Sequence, residues 1–99
     1  MSAIFGEKLI FSQEKGPDVE LIVFGDEFYA RYETPAGCPA IYDSHRGLFC
    51  YARVVDGAYE SSGVPITESP PPDIVLHAKE SDAVRQAKAA AKAAARQPP

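Results

Sequence analysis

Four residues of metal-binding type, Cys38, His45, Cys50 and His77, are spaced Cys-x6-His-x4-Cys-x26-His. Structural zinc sites draw on ligands paired a few residues apart, so that one turn presents two of them together. That pairing does not occur here, and no His-Glu-x-x-His motif lies in the sequence. Asp43, Ser44 and His45 are the residue types of a nucleophile, a base and an orienter. Three sequence neighbours on one turn, however, cannot form a chain in which each group reaches the next. Residues 43–47 read instead as a turn, in which Asp43 and Ser44 bond local backbone and Gly47 takes a positive φ. Cys50 beside His45 would make a nucleophile pair, but Cys50 falls in the middle of an expected strand. No catalytic residue, metal ligand or cofactor is assigned, and the chain reads as non-enzymatic.

The residues suited to binding are aromatic and basic. The tripeptide Tyr-Ala-Arg occurs at 29–31 and again at 51–53. Tyr29, Arg31, Tyr51 and Arg53 would make a stacking platform for single-stranded nucleic acid, or anchors for a protein partner. Charge decides between the two. Residues 1–78 carry twelve acidic and five basic side chains, a balance of −7, whereas residues 79–99 carry five basic and two acidic ones, or +3. An acidic body is a poor nucleic-acid surface, so the protein-facing reading is preferred. In the tail, Arg85, Lys88, Lys92 and Arg96 fall within about 80° of one another at about 100° per helical residue. Alanines 83, 87, 90 and 94 lie opposite. The stripe could meet an acidic partner, but it lacks the apolar face that membrane insertion needs.

The elements that would position these residues are mostly strands. Leu9 to Ser12 and Val19 to Phe24 read as a first hairpin, broken by a turn cluster that contains Gly16-Pro17. Gly25-Asp26-Glu27 interrupts the chain, and Phe28 to Glu33 alternates as a third strand. A turn follows at 34–37. Ala40 to Tyr42 and Leu48 to Val55 form a second hairpin with Asp43 opposite Leu48. That register sets Cys50 against Ile41 and turns Cys38 to the other face, so two free thiols are expected. Asp56-Gly57 is a turn dipeptide, with a short strand at Ala58 to Glu60. From Ser61 the composition shifts to Ser, Gly and Pro, ending in the stiff run Pro70-Pro71-Pro72. Ser81 is the expected N-cap of a helix over Asp82 to Arg96, terminated by Gln97-Pro98-Pro99. At 1.5 Å per residue that helix is about 22 Å long. Val84 is its only large aliphatic residue.

Ninety-nine residues make one small core, burying about 60–65% of the unfolded surface. The expected architecture is mainly β. An antiparallel sheet of two hairpins, about five strands, spans residues 1–60; a partly docked Pro-rich connector spans 61–78; and an exposed helical tail or linker spans 79–99. Residues 1–11 lack the cationic start and apolar run of a signal peptide, and no stretch approaches a membrane span. As written, the chain is expected in the cytosol unless another route exports it.

The order of segments resembles the N-terminal, non-catalytic region of M6-family (immune-inhibitor-A-like) bacterial metalloproteases. The residues that carry the likeness are Phe5-Gly6, Phe11-Ser12-Gln13, Phe24-Gly25-Asp26-Glu27-Phe28-Tyr29-Ala30 and Glu33-Thr34. They continue through Gly37, Tyr42-Asp43, Gly47-Leu48-Phe49-Cys50-Tyr51-Ala52-Arg53, Ser62-Gly63-Val64-Pro65 and Pro70-Pro71-Pro72. Ala83 to Ala91 is similar to the Ala/Lys/Arg segment that leads into the protease domain. The likeness covers nearly the whole chain in short motifs. It departs at Pro35 to Ala40, where Pro39 is expected to shorten the third strand, and the protease domain itself is not in this sequence. The resemblance implies a pro-region-like role: binding, covering or positioning a metalloprotease domain, in cis or in trans. It brings no catalytic residue with it. An adaptor that tethers cargo and uses the basic helix on an acidic surface is the alternative.

Overall fold

The computed structural model describes residues 4–26 and 28–96, with the side chains of Ile4 and Arg96 left out. Six antiparallel strands form one sheet in sequence order: β1 (Ile4–Gln13), β2 (Gly16–Gly25), β3 (Ala30–Glu33), β4 (Pro39–Asp43), β5 (Leu48–Val55) and β6 (Ala58–Pro65). Among the described residues a single helix, α1 (Asp82–Arg96), follows. The protein is mainly β, as its alternation requires.

The first hairpin is longer than the turn signals suggest. Gly16 and Pro17 lie inside β2, and Glu14-Lys15 makes the turn. Proline is tolerated because the ladder is irregular there: between the pairs Phe11↔Val19 and Gln13↔Gly16, Pro17 and Asp18 of β2 stand against Ser12 alone. The Pro17 carbonyl is taken by the Gln13 side-chain amide at 2.8 Å.

β3 is shorter than the alternation from Phe28 suggests. The Asp26 Oδ1 atom accepts the N–H groups of Phe28 and Tyr29 at 2.8 and 3.0 Å, which holds that corner in a turn. β3 meets β4 only through Tyr32↔Ala40 and Glu33↔Pro39, a weak seam. Pro39 does not shorten the third strand as expected: β3 runs to Glu33, its pair with Pro39 forms, and the shortening is at the Phe28 end.

The second hairpin keeps its expected register, with Ile41 opposite Cys50 and Asp43 opposite Leu48. Cys38 and Cys50 are buried and free. The strand expected at Ala58 to Glu60 continues to Pro65. A register shift on β6, between Ala52↔Ser61 and Cys50↔Pro65, takes up the Ser-Gly stretch, with Gly63 at φ +79°. The strand stays polar there because Ser61 bonds Asp43 across the sheet at 2.8 Å.

Val19, Leu21, Ala40 and Phe49 form the core on one face, closed over by Phe11, Tyr32 and Ile66. Ring pairs tie it together: Phe11–Tyr32 at 5.4 Å, Phe11–Phe49 at 5.6 Å and Tyr42–Phe49 at 5.1 Å between centroids. Phe11 and Phe49 come from β1 and β5, which meet only because the sheet curls strongly. Two hydrogen bonds hold the curl, from Lys15 N–H to Gly47 O at 3.0 Å and from Phe49 N–H to Gln13 Oε1 at 2.6 Å.

The connector wraps the sheet. Ile66 packs on the core side, while the N–H of His77 bonds Gly37 O at 2.8 Å and its ring reaches Glu33 on the opposite face. Ser81 then caps α1: its hydroxyl accepts the Val84 N–H at 3.2 Å and its carbonyl accepts the Arg85 N–H at 2.9 Å. The helix occupies the expected residues. The stop expected at 97–99 and the part of the break at Glu27 lie outside the described residues.

Candidate functional site

Strand alternation separates two sets of side chains. Tyr32 pairs with Val23 and Ala40 on the core face, so Arg31, opposite Phe24, lies on the other. Tyr51, opposite Ala40, belongs to the core face, and Arg53 follows it by the two-residue period. The two Tyr-Ala-Arg tripeptides thus stand on opposite faces and make no common platform. Tyr51 is buried, and its hydroxyl donates to Ile66 O at 3.3 Å and Glu68 O at 2.5 Å. Arg53 is bidentate to Asp73, fastening the connector.

Tyr29 and Arg31 join the other face, where the polar groups gather. Glu33 is buried there, accepting from Arg31 and within 2.9 Å of His77 Nδ1. The Arg31 guanidinium lies 4.1 Å above the Phe24 ring centroid. Glu80, just before the helix cap, is also buried. One of its oxygens accepts the Tyr29 hydroxyl at 2.7 Å; the other accepts the Tyr59 N–H at 2.7 Å and the Lys88 ammonium. The Tyr59 hydroxyl in turn donates to Ala78 O at 2.6 Å.

Electrostatics follow from this packing. Burial pushes Glu80 upward, but Lys88, the Tyr59 amide and the Tyr29 hydroxyl outweigh it and hold the carboxyl below its ordinary value. Burial, reinforced by the hydrogen bond to Glu80, raises Tyr29 well above an ordinary phenol. A carboxylate with both oxygens occupied by three donors is arranged to hold its neighbours. Elsewhere, the Ser61 hydroxyl keeps Asp43 low, and burial pushes the Cys50 thiol up.

The tail cations divide in the same way. Arg85 pairs with Asp82 and Lys88 with Glu80. Lys92 has no ion-pair partner among the described residues, and the Arg96 side chain lies outside them. Lys88 and Lys92 help line a cavity of about 270 Å³ together with Tyr29, Arg31 and the β3–β4 seam. So the structure brings Tyr29, Arg31, Lys88 and Lys92 to one place, with Arg85 beside Tyr29 and Arg31 in an adjoining cavity, and leaves Tyr51 and Arg53 elsewhere.

Two features escaped the sequence. Among the described residues Glu33 and Glu80 are the buried carboxylates, yet their partners lie up to 51 residues away. Only the apolar neighbourhood of Glu33, at the end of an alternating strand, hints at burial. The other is the outer edge of β1, where Phe5 is 88% and Ile10 65% exposed. β1 is an end strand of the sheet, with β2 as its only neighbour.

No family model matches this chain, and no curated protein or solved structure matches it. Among the described residues no helix is long and apolar enough to cross a membrane.

Proposed function

We propose that this chain is a non-catalytic, pro-region-like module that binds a metalloprotease domain and covers or positions it, in cis or in trans. The observation that carries this reading is the open edge of β1. A terminal strand with exposed Phe5 and Ile10 offers backbone hydrogen bonds and apolar anchors together, the two requirements of strand addition. The sequence likeness to the N-terminal region of M6 enzymes supplies the identity of the partner. It rests partly on residues that the fold uses, such as Asp26 in its turn and Phe49 in the core. In this arrangement α1 is a spacer, with its N-terminal half fastened through the Ser81 cap and the Glu80–Lys88 pair.

The adaptor alternative relies on the basic stripe of α1, and two of its four cations, Arg85 and Lys88, are engaged within the chain. Binding to a separately expressed metalloprotease domain of the immune-inhibitor-A type distinguishes the two. The protease-facing reading expects complex formation that Ile10→Lys abolishes and that neutralising Arg85, Lys88, Lys92 and Arg96 leaves intact. Absence of a complex would refute it, and loss only on neutralising the stripe would favour the adaptor.

A further inference from the structure

The seam between β3 and β4 is where the sheet comes apart. Below it, Tyr32↔Ala40 and Glu33↔Pro39 pair. Beyond that point, Ala30 and Arg31 pair only with β2, and Ile41, Tyr42 and Asp43 pair only with β5. Two strand edges therefore face each other across a gap inside the sheet. The cavity of about 270 Å³ is this gap, since Ala30, Arg31, Ile41 and Tyr42 are among its walls. Strand edges carry backbone donors and acceptors that seek partners. A helix is about 10 Å across; an extended segment is slimmer and can pair with a strand edge.

The mouth of the gap selects by charge. Arg31, Lys88 and Lys92 line it against the single carboxylate of Glu80. Arg31 is committed to Glu33 and Lys88 to Glu80, which leaves Lys92 as the cation without an ion-pair partner among the described residues. We propose that this cleft receives an extended, acidic segment of a partner protein. The segment hydrogen-bonds to the open edge of β4 at Tyr42, whose backbone, like that of Cys38, faces β3, and sets a carboxylate against Lys92. This surface is separate from the β1 edge and does not require the partner to be a protease domain.

The probe is a fluorescein-labelled peptide, Thr-Val-Glu-Val-Glu-Val-Thr, titrated with the 99-residue chain at low salt and followed by anisotropy and by amide NMR shifts. The expected result is saturable binding with the largest shift at the Tyr42 amide. Lys92→Glu, on an exposed helix face, weakens it by about fivefold. Methylating the backbone nitrogens of the valines abolishes it, and Ile10→Lys leaves it unchanged. The proposal is overturned if no saturation occurs, if Thr-Val-Lys-Val-Lys-Val-Thr binds equally well, if the methylated peptide binds equally well, or if the shifts map to β1. The Ile10→Lys arm keeps failure here distinct from failure of the protease-binding reading.

Discussion

On one face of the sheet Phe11, Tyr32 and Phe49 close over Val19, Leu21 and Ala40; on the other, Glu33 and Glu80 are buried among Arg31, His77, Tyr29, Tyr59 and Lys88. Both faces exclude water, by different means. Apolar burial is non-directional, so the first face needs only the right shapes in the right volume. The second depends on every donor being present, because a buried carboxylate that loses a partner keeps its desolvation cost. The first face therefore builds the sheet and, through Tyr51 and Arg53, holds the start of the connector, while the second attaches its end and the helix. Through Glu80 the attachment responds to proton concentration.

Substitutions separate the two faces, and the largest effect belongs to the apolar one. Phe49→Ala removes a side chain that touches Phe11, Tyr32 and Tyr42. It is expected to cost about 3–5 kcal/mol in urea unfolding, with the whole sheet affected. Glu80→Gln comes next, at about 2 kcal/mol, because three donors lose their charged acceptor. Its signature is faster amide exchange in α1 and near Tyr59, with the β4–β5 hairpin unchanged; equal loosening of both regions would erase the distinction between the faces.

Acidification makes the same cut. The folded state holds the proton of Glu80 more weakly than the unfolded chain does. Its contribution is thus complete above the ordinary value of 4.5 and is lost as the pH falls through the lower folded value. Wild type should lose more stability than Glu80→Gln between neutral pH and about pH 3 in urea titrations. Tyr29→Phe, which deletes one hydroxyl from the cluster, should cost about 1 kcal/mol. Lys88→Ala should cost less, about 0.5 kcal/mol, since its side chain is 51% exposed. A Lys88 effect larger than that of Tyr29 would show that charge, rather than burial, holds the helix down.

The apolar face was legible because its signal is local. Alternation at Val19, Leu21 and Val23, turn residues at 43–47 and the dipeptide Asp56-Gly57 give strands, register and hairpins without reference to distant residues. The helix was equally plain, from the Ser81 cap through fifteen residues of high propensity. What the sequence concealed was the curl and the wrap. Nothing near Phe11 announces Phe49, and nothing near Glu80 announces Tyr29, since each pair forms only after the sheet has bent and the connector has crossed it. The two Tyr-Ala-Arg copies illustrate the same limit. Identical triplets were placed on opposite faces because each strand's register, set by its neighbours, decides which way an odd or even position points.

The glycines of the two outermost strands carry a consequence for solubility. Gly6 interrupts β1 and Gly63 interrupts β6, each at φ +79° beside a slip in the ladder. Such kinks throw an edge out of line, so copies of this protein cannot lengthen one another's sheets indefinitely into fibrils. On β1 the undisturbed ladder runs only from Glu7 to Phe11. Any visiting strand meets five residues of straight rail there, with an acid and a lysine at its head, and that brevity keeps the encounter finite.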